Sequence, residues 1–325
     1  MDDLAVIVVA CNSAPYVAAC LRSIFEHMGL LRADVIVVDA ESRDDTADIV
    51  ADFRGVRLIR CRNRGFAYAN NRGLMTCEAR YVLFLNPDTE ILQGSLSDLV
   101  SRMDERLGVG LVGVRQTDTD GRAEMTIRHF PNAVRALGDA LSAEHLPGRP
   151  RWLGERELRP GAYDREIECD WTVGSFMLAR REAIESAGFM DERFFMYSEE
   201  TDLCRRIRTA GWEIRHFPWM TILHYGAKAG IQPSVESLKA YSRLVYARKH
   251  FSPAHRVLYF GTVLLRHSLR AACARRGQLG RRRRAAHWAA LRTLVRLSPP
   301  PHSPWSHVSV SPWEPSTSPS PVSAP

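Results

Sequence analysis

The chain has 325 residues, 45% hydrophobic and 25% charged, an ordinary globular composition with length for one large domain or two small ones. Its formal charge of +7 is unevenly spread: residues 1–236 hold 29 basic and 36 acidic side chains, whereas 237–313 hold 15 Lys and Arg and no acid, so an anionic partner is expected to bind late. Seven scattered cysteines with no CxxC pair disfavour a disulfide framework and a zinc site and fit a reducing cytoplasm, and neither a secretory leader nor a bilayer-spanning run is expected.

Short β-branched runs at 5–10, 35–39, 56–60 and 81–85 read as strands buried on both faces. Between them Val17, Cys20, Leu21, Ile24, Phe25 and Met28 recur at helical spacing, and 44–53 and 66–75 are long enough for crossover helices. That alternation predicts an α/β nucleotide-binding fold with a mostly parallel central sheet. Ligands of such sheets lie beyond the carboxyl ends of the strands. Here those ends carry Asn12, Asp39, Asn63, and Asn86 with Asp88. A helix is expected at 96–107, a strand at 109–114 and a hairpin turn at Asp120-Gly121, while 131–168 shows no period. Residues 171–179 read as one strand, 181–187 as a short helix, 199–210 as an amphipathic helix closed by Gly211, and 213–217 and 220–224 as strands. The expected organisation is a domain over 1–250, a basic amphipathic helical extension over 251–297 and a disordered Pro/Ser-rich tail over 298–325.

Asp88 follows a hydrophobic strand, where a carboxylate can hold a divalent cation against a diphosphate, although Asn86, Pro87 and Asp88 are also common turn residues. Its context favours the first reading. The runs VIVVDAESRDDT, NRGFAYANNRG, NPDT and GSFMLARREAIESAGFMDERFFMYSEETDLCRRIRTAGW, in that order, resemble family 2 glycosyltransferases, especially the rhamnosyltransferase-like group. The resemblance covers about residues 4–250. It implies a GT-A-like fold, a nucleotide-diphosphate sugar donor, a divalent cation (Mg²⁺ or Mn²⁺) and inversion at the anomeric carbon.

Carried onto this chain, the resemblance puts Asp39 at the nucleoside, with Asn12 and Ser42 lining the same pocket or capping the next helices. The stretch Asn63, Gly65, Phe66 and Asn70 would meet the donor, with Gly65 allowing close backbone approach. Asn86 stands at the first acidic position of the family's metal motif and Asp88 at the last. His224 would complete the cation site. The general base would be Glu200, where the family has Asp, or its neighbour Glu199; both also suit the helix N-terminus electrostatically. Asp202 is spaced to pair with Arg205 or Arg206. Trp171, Gly174 and Ser175 fall on the acceptor side, Trp171 as a stacking face or as core, and Asp191 in a loop beside the base helix.

Beyond His250, Arg266, Arg270, Arg275, Arg276, Arg281 to Arg284, Arg292 and Arg296 alternate with apolar side chains. This suits a peripheral helix pair at the anionic inner face of the cell membrane, ahead of a solvated basic face or nucleic-acid binding. The expected activity is transfer of a sugar, with rhamnose the first choice, to a glycan or lipid-linked acceptor in cell-envelope polysaccharide or glycolipid assembly. The alternative is a non-catalytic nucleotide-sugar or polyanion-binding protein.

Overall fold

The computed structural model describes residues 2–143, 146, 150–159, 161–226, 232–274 and 277–297. The tail expected from 298 onward lies outside the described residues. The chain forms two units: a sheet unit of residues 1–131 and 154–230, and a helical unit of 132–153 and 231–325.

In chain order the sheet unit begins β1 (Asp2–Ala10), α1 (Ala14–Glu26), β2 (Ala33–Ala40), α2 (Thr46–Ala51), β3 (Val56–Cys61), α3 (Phe66–Leu74) and β4 (Ala79–Leu85). It continues with β5 (Thr89–Gln93), α4 (Leu96–Asp104), β6 (Val109–Thr117) and β7 (Ile127–Arg128); α5 (Ala133–Ala140) then falls in the helical unit. After it come β8 (Ile167–Glu168), β9 (Trp171–Thr172), β10 (Phe176–Arg180), α6 (Arg181–Ala187), α7 (Glu199–Thr209) and β11 (Glu213–His224). The helical unit closes with α8 (Pro233–His250), α9 (Pro253–Ala272) and α10 (Gln278–Arg296).

The main sheet has nine strands in the order β3-β2-β1-β4-β10-β6-β11-β5, with β8 also paired to β11. The pairing directions leave β10, β5 and β8 opposed to the other six strands, so the sheet is mostly parallel. Apolar runs at β1 and β4 are explained by burial on both faces. Leu4, Val6 and Val8 face a core shared with Val17, Leu21 and Ile24 of α1 and Leu99 and Met103 of α4, while Ala5, Ile7 and Val9 face one shared with α3, α6 and α7. At about 25 cal/mol per Å² of apolar area removed from water, these two layers are the main stabilising term of the unit.

The structure refines the sequence expectations in four places. The strand expected at 171–179 is two, β9 and β10, with Val173, Gly174 and Ser175 forming a turn between them. The strands expected at 213–217 and 220–224 are one strand, β11, whose register slips between Phe217 and Thr221 where Pro218 interrupts the ladder. The unplaced stretch 131–168 supplies α5, two short 3-10 turns and β8, pieces too short to show a period. The residues of α8, which the sequence reading assigns to the first domain, belong to the helical unit.

Candidate active site

Four strands end on the same edge of the sheet, and side chains in the following loops stitch those loops together. After β1, the Asn12 backbone N–H donates to Ser42 Oγ at 2.9 Å, and Asn12 Oδ1 accepts from the Arg43 N–H at 2.8 Å. Ser13 N donates to Thr46 Oγ1 at 2.7 Å. Asn12 and Glu41 both adopt left-handed backbone (φ 52° and 58°), which turns each chain sharply out of its strand. Glu41 then accepts from the Asn63 N–H at 2.8 Å, tying the loop after β2 to the loop after β3. Asn63 Oδ1 in turn accepts from the Gly65 N–H at 3.3 Å. Asn12, Ser42 and Asn63 therefore tie these loops to one another.

Beside them lies an open cleft of about 560 Å³ whose lining includes Asp39, Glu41, Ser42, Asp44, Arg60 and Arg62. Asp39 is 4% exposed and its Oδ1 has no partner in the protein. A buried carboxylate oxygen left unpaired is costly unless a ligand donor meets it, and an imide N–H or ribose hydroxyl is such a donor.

Gly65 is required by close approach. Its φ is 105°, and a Cβ there would lie 2.3 Å from the Phe195 carbonyl oxygen. That same carbonyl accepts from the Phe66 N–H at 2.7 Å, which clamps the start of α3 to the segment leading into α7. Asn71 holds the segment from its other side: its amide donates to Met190 O at 2.9 Å and Glu192 Oε1 at 3.0 Å, and accepts from Met190 N at 3.1 Å. Asn70 is 1% exposed and donates to Phe66 O within its own helix at 3.0 Å, while its Oδ1 has no hydrogen-bond partner among the described residues.

The turn between β9 and β10 joins the two halves of the site. A Cβ at Gly174 would meet Glu200 Cβ at 3.7 Å, Glu200 Cγ at 3.9 Å and the Phe66 ring at 3.9 Å. The next residue, Ser175, accepts through its carbonyl from the Asn86 N–H at 3.1 Å, and its hydroxyl donates to Gln116 Oε1 at 2.7 Å. A Cβ at 174 would sit in ordinary van der Waals contact with Glu200. Glu200 is thus linked to the loop that carries Asp88 by one packing contact, at Gly174, and one hydrogen bond, from Asn86 to Ser175.

Asp88 and His224 face each other, with Asp88 Oδ1 3.7 Å from His224 Nε2, and the Tyr225 N–H donates to the Asp88 carbonyl at 2.9 Å. His224 Nδ1 pairs with Glu124 Oε2 at 3.1 Å. Burial disfavours a charge on His224, but the hydrogen bond to Glu124 and the charge of Asp88 outweigh it and raise its pKa. A donor set of one carboxylate and one imidazole whose second nitrogen is held by another carboxylate fits a divalent cation, because the acids that favour a proton there favour a metal too. Diphosphate oxygens would fill the other positions.

Glu199 and Glu200 open α7 after Tyr197 and Ser198, both in left-handed backbone at φ 70° and 68°. Each glutamate has an enclosed, unpartnered Oε2. Burial, reinforced by the Glu200 charge, pushes Glu199 well above the usual carboxylate range. Burial also raises Glu200, with backbone N–H groups and Arg128 pulling back. Glu199 is 5% exposed, Glu200 more accessible. Behind them Asp202, fully buried, pairs with Arg206 at 2.9 Å, and Arg206 also donates to the carbonyls of Ala187 and Gly188. That lattice fixes the direction of α7.

Two of the acceptor-side residues are engaged within the protein. Trp171 is 8% exposed, donates its Nε1–H to His129 O at 3.0 Å and has the Arg128 guanidinium 5.6 Å from its ring centre, so it is packed core and offers no open face to a sugar. The carboxylate of Asp191 is engaged by Arg193 at 2.6 Å, a contact within the loop. Glu124 and Arg128 were missing from the sequence reading. The Asp120-Gly121 signal leads to the first: Gly121 has φ 75°, the turn forms, and the returning Glu124 N–H donates to Gln116 O at 2.8 Å.

Comparison with known proteins agrees with this geometry. Residues 5–187 match the Glycosyl transferase family 2 profile, a span that includes Asp39, Asp88 and Gly174 but stops short of Glu200 and His224. The chain is 29% identical over 259 residues to N-acetylglucosaminyl-diphospho-decaprenol L-rhamnosyltransferase of Mycobacterium tuberculosis, covering 75% of this chain and 83% of that protein. Among solved structures, GalNAc-T7 with UDP, GalNAc and Mn²⁺ superposes with a TM-score of 0.59 at 13% identity, covering 91% of this chain and 56% of that one, so this chain spans about half its length. The mannosyltransferase PcManGT of Pyrobaculum calidifontis, in complex with GDP-Man and Mn²⁺, gives 0.53 at 16% identity, with coverage of 91% and 86%. Both likenesses establish the GT-A-like fold.

Proposed function

The chain belongs to glycosyl transferase family 2 and is a glycosyltransferase of cell-envelope glycan assembly, and on that premise we propose that it transfers rhamnose, with inversion, from a nucleoside-diphosphate donor to a hydroxyl of a lipid-diphosphate-linked sugar. The observation that carries the reading is the linkage of Glu200 through Gly174 and Ser175 to the Asn86–Asp88 loop. It sets an unpartnered carboxylate near the residues suited to holding a diphosphate.

In this mechanism Asp39 accepts a hydrogen bond from the base or ribose and fixes the nucleoside in the cavity. Asp88 and His224 hold a divalent cation, which when bound offsets the charge that develops on the departing diphosphate. Glu200 takes the proton from the acceptor hydroxyl as its oxygen forms a bond to the anomeric carbon. The bond from that carbon to the diphosphate oxygen breaks on the opposite side, which inverts the centre. A raised pKa brings the carboxylate closer to the pH at which it must accept that proton. Glu199 is less accessible and more strongly disfavoured as an anion, which limits repulsion beside the base.

The helical unit supports peripheral attachment to the inner face of the membrane. Among the described residues no helix is long and apolar enough to cross a bilayer. Arg281 to Arg284 are all exposed on α10, as are Trp288 on that helix and Val257 and Leu258 on α9. Basic and apolar side chains exposed together suit an anionic lipid surface.

A panel of nucleoside-diphosphate sugars, incubated with the protein, Mg²⁺ or Mn²⁺ and a prenyl-diphosphate N-acetylglucosamine acceptor, tests the reading. The expected product is a rhamnosylated acceptor formed only from the rhamnose donor and lost in EDTA. Transfer from another donor would overturn the sugar assignment, and full activity in chelator would overturn the cation.

A further inference from the structure

Polar side chains occupy three positions in the helical unit where a helix seam ordinarily carries aliphatic ones. The buried face of α9 is Tyr259, Val263, His267 and Ala271, one residue per turn. Around His287 the buried positions of α10 are Ala286, Ala290, Thr293 and Leu294. His267 and His287 are 2% and 5% exposed, and their Nδ1 atoms face each other at 3.1 Å. Glu236, in the first turn of α8, brings Oε2 to 4.0 Å from His287 Nδ1. One ligand atom from each of the three residues lies within 4.8 Å of the others, and no second group of three such side chains converges this way among the described residues.

Two facing imidazole nitrogens, left to themselves, make one hydrogen bond, with one nitrogen protonated and the other not. The third group changes that account, because a carboxylate directed at the same point adds a hard anionic donor which the histidine pair does not need. We propose that Glu236, His267 and His287 form a site for a divalent transition-metal ion of the zinc type, with water as the fourth ligand, that staples α8, α9 and α10. In a tetrahedron with metal–ligand bonds of about 2.0–2.1 Å, neighbouring ligand atoms lie about 3.3–3.4 Å apart. The 3.1 and 4.0 Å separations bracket that value, so a shift of the Glu236 side chain completes the geometry.

Lys239 pairs with Glu236 at 3.6 Å, a contact the carboxylate would exchange for the ion. Of the cations around the pair, Arg266 and Arg270 are countered by Asp139 at 3.1 and 3.5 Å, and Arg243 and Arg283 also act on the imidazoles. The site is separate from Asp88 and His224 and does not depend on the donor chemistry.

The test uses untagged full-length protein carrying Asp88→Asn and His224→Ala, so that the sheet unit contributes no ion, stripped with chelator and titrated with Co²⁺. The expected result is one Co²⁺ per chain with the intense visible absorption of a four-coordinate ion, displaced by Zn²⁺, and a rise in Tm on binding. Adding Glu236→Gln, which keeps both imidazoles and the packing volume, should weaken Co²⁺ at least about tenfold; His267→Ala with His287→Ala should abolish the colour. No stoichiometric uptake, a pale six-coordinate spectrum, or Glu236→Gln binding as tightly as its parent would overturn the site.

Discussion

In the sheet unit Asp39, Glu199 and Glu200, at a strand end and a helix start, each have an enclosed carboxylate oxygen with no hydrogen-bond partner among the described residues; in the helical unit the polar groups of Glu236, His267 and His287 lie along helix faces. The backbone explains the contrast. A parallel sheet gathers its loops at one edge, so side chains far apart in sequence meet where the regular pairing stops and ligands can approach. A helix bundle has no such edge, and its polar sites have to be built inside the packed seam from side chains on facing helices. Charge follows the same division. The stretch before 237 is net acidic, with many of its acids engaged in loops and ion pairs, and the stretch after it is basic, with Arg281 to Arg284, Arg292 and Arg296 exposed on α10.

Four variants would break or sharpen this contrast. Asp202→Ala strands the Arg206 guanidinium against α7 and should cost about 3–5 kcal/mol of stability, read as a fall in Tm of the full chain. If Tm is unchanged, the lattice behind the base helix is not a structural brace. Asp88→Asn should lower transfer at least about a hundredfold, some 2.7 kcal/mol, and blunt the response to Mn²⁺, measured in steady-state assays. Equal Mn²⁺ dependence in the variant would move the cation elsewhere. Arg281→Gln with Arg282→Gln should weaken flotation on anionic liposomes by about 2 kcal/mol, roughly thirtyfold, without altering donor hydrolysis. Equal loss on neutral liposomes would point to apolar contact instead of charge. The smallest effect is expected from Trp171→Phe, which removes the hydrogen bond to His129 O and should cost about 1 kcal/mol of stability while leaving the KM for acceptor unchanged. A large rise in that KM would restore Trp171 to the acceptor site.

The strands β1 to β4 were legible because burial on both faces writes them as unbroken apolar runs, and the loops after them were legible because polar residues follow those runs directly. The break between β9 and β10 was not, since Trp171 to Ala179 is mostly apolar, and the Gly174-Ser175 pair that marks the turn equally fits a bulge within a single strand. The positions of Asp39 and Asp88 at strand ends were legible for the same reason as the loops. The packing of Trp171 was not, because a tryptophan serves equally as a stacking face and as core, and only burial and partners decide between them. His224 was found by resemblance, but Glu124, its partner across a hundred residues, could be reached only by following the Asp120-Gly121 turn back along the returning chain. The histidine pair of the helical unit gave no signal, since twenty residues separate two imidazoles whose meeting depends wholly on how α9 and α10 pack.

The central claim is that Glu200 removes the acceptor proton. It is tested most directly by the turnover of Glu200→Gln, measured across pH beside the parent protein and with the donor Kd determined for both. A base has to be deprotonated to act, so the parent's kcat should fall as pH drops through a pKa raised above the ordinary glutamate value of about 4.3, the direction that burial imposes here. The variant should lose roughly 10²–10⁴-fold in kcat, with that acid limb gone and donor affinity kept. Turnover within a few-fold of the parent, with the same acid limb still present, would contradict the account and pass the role to Glu199.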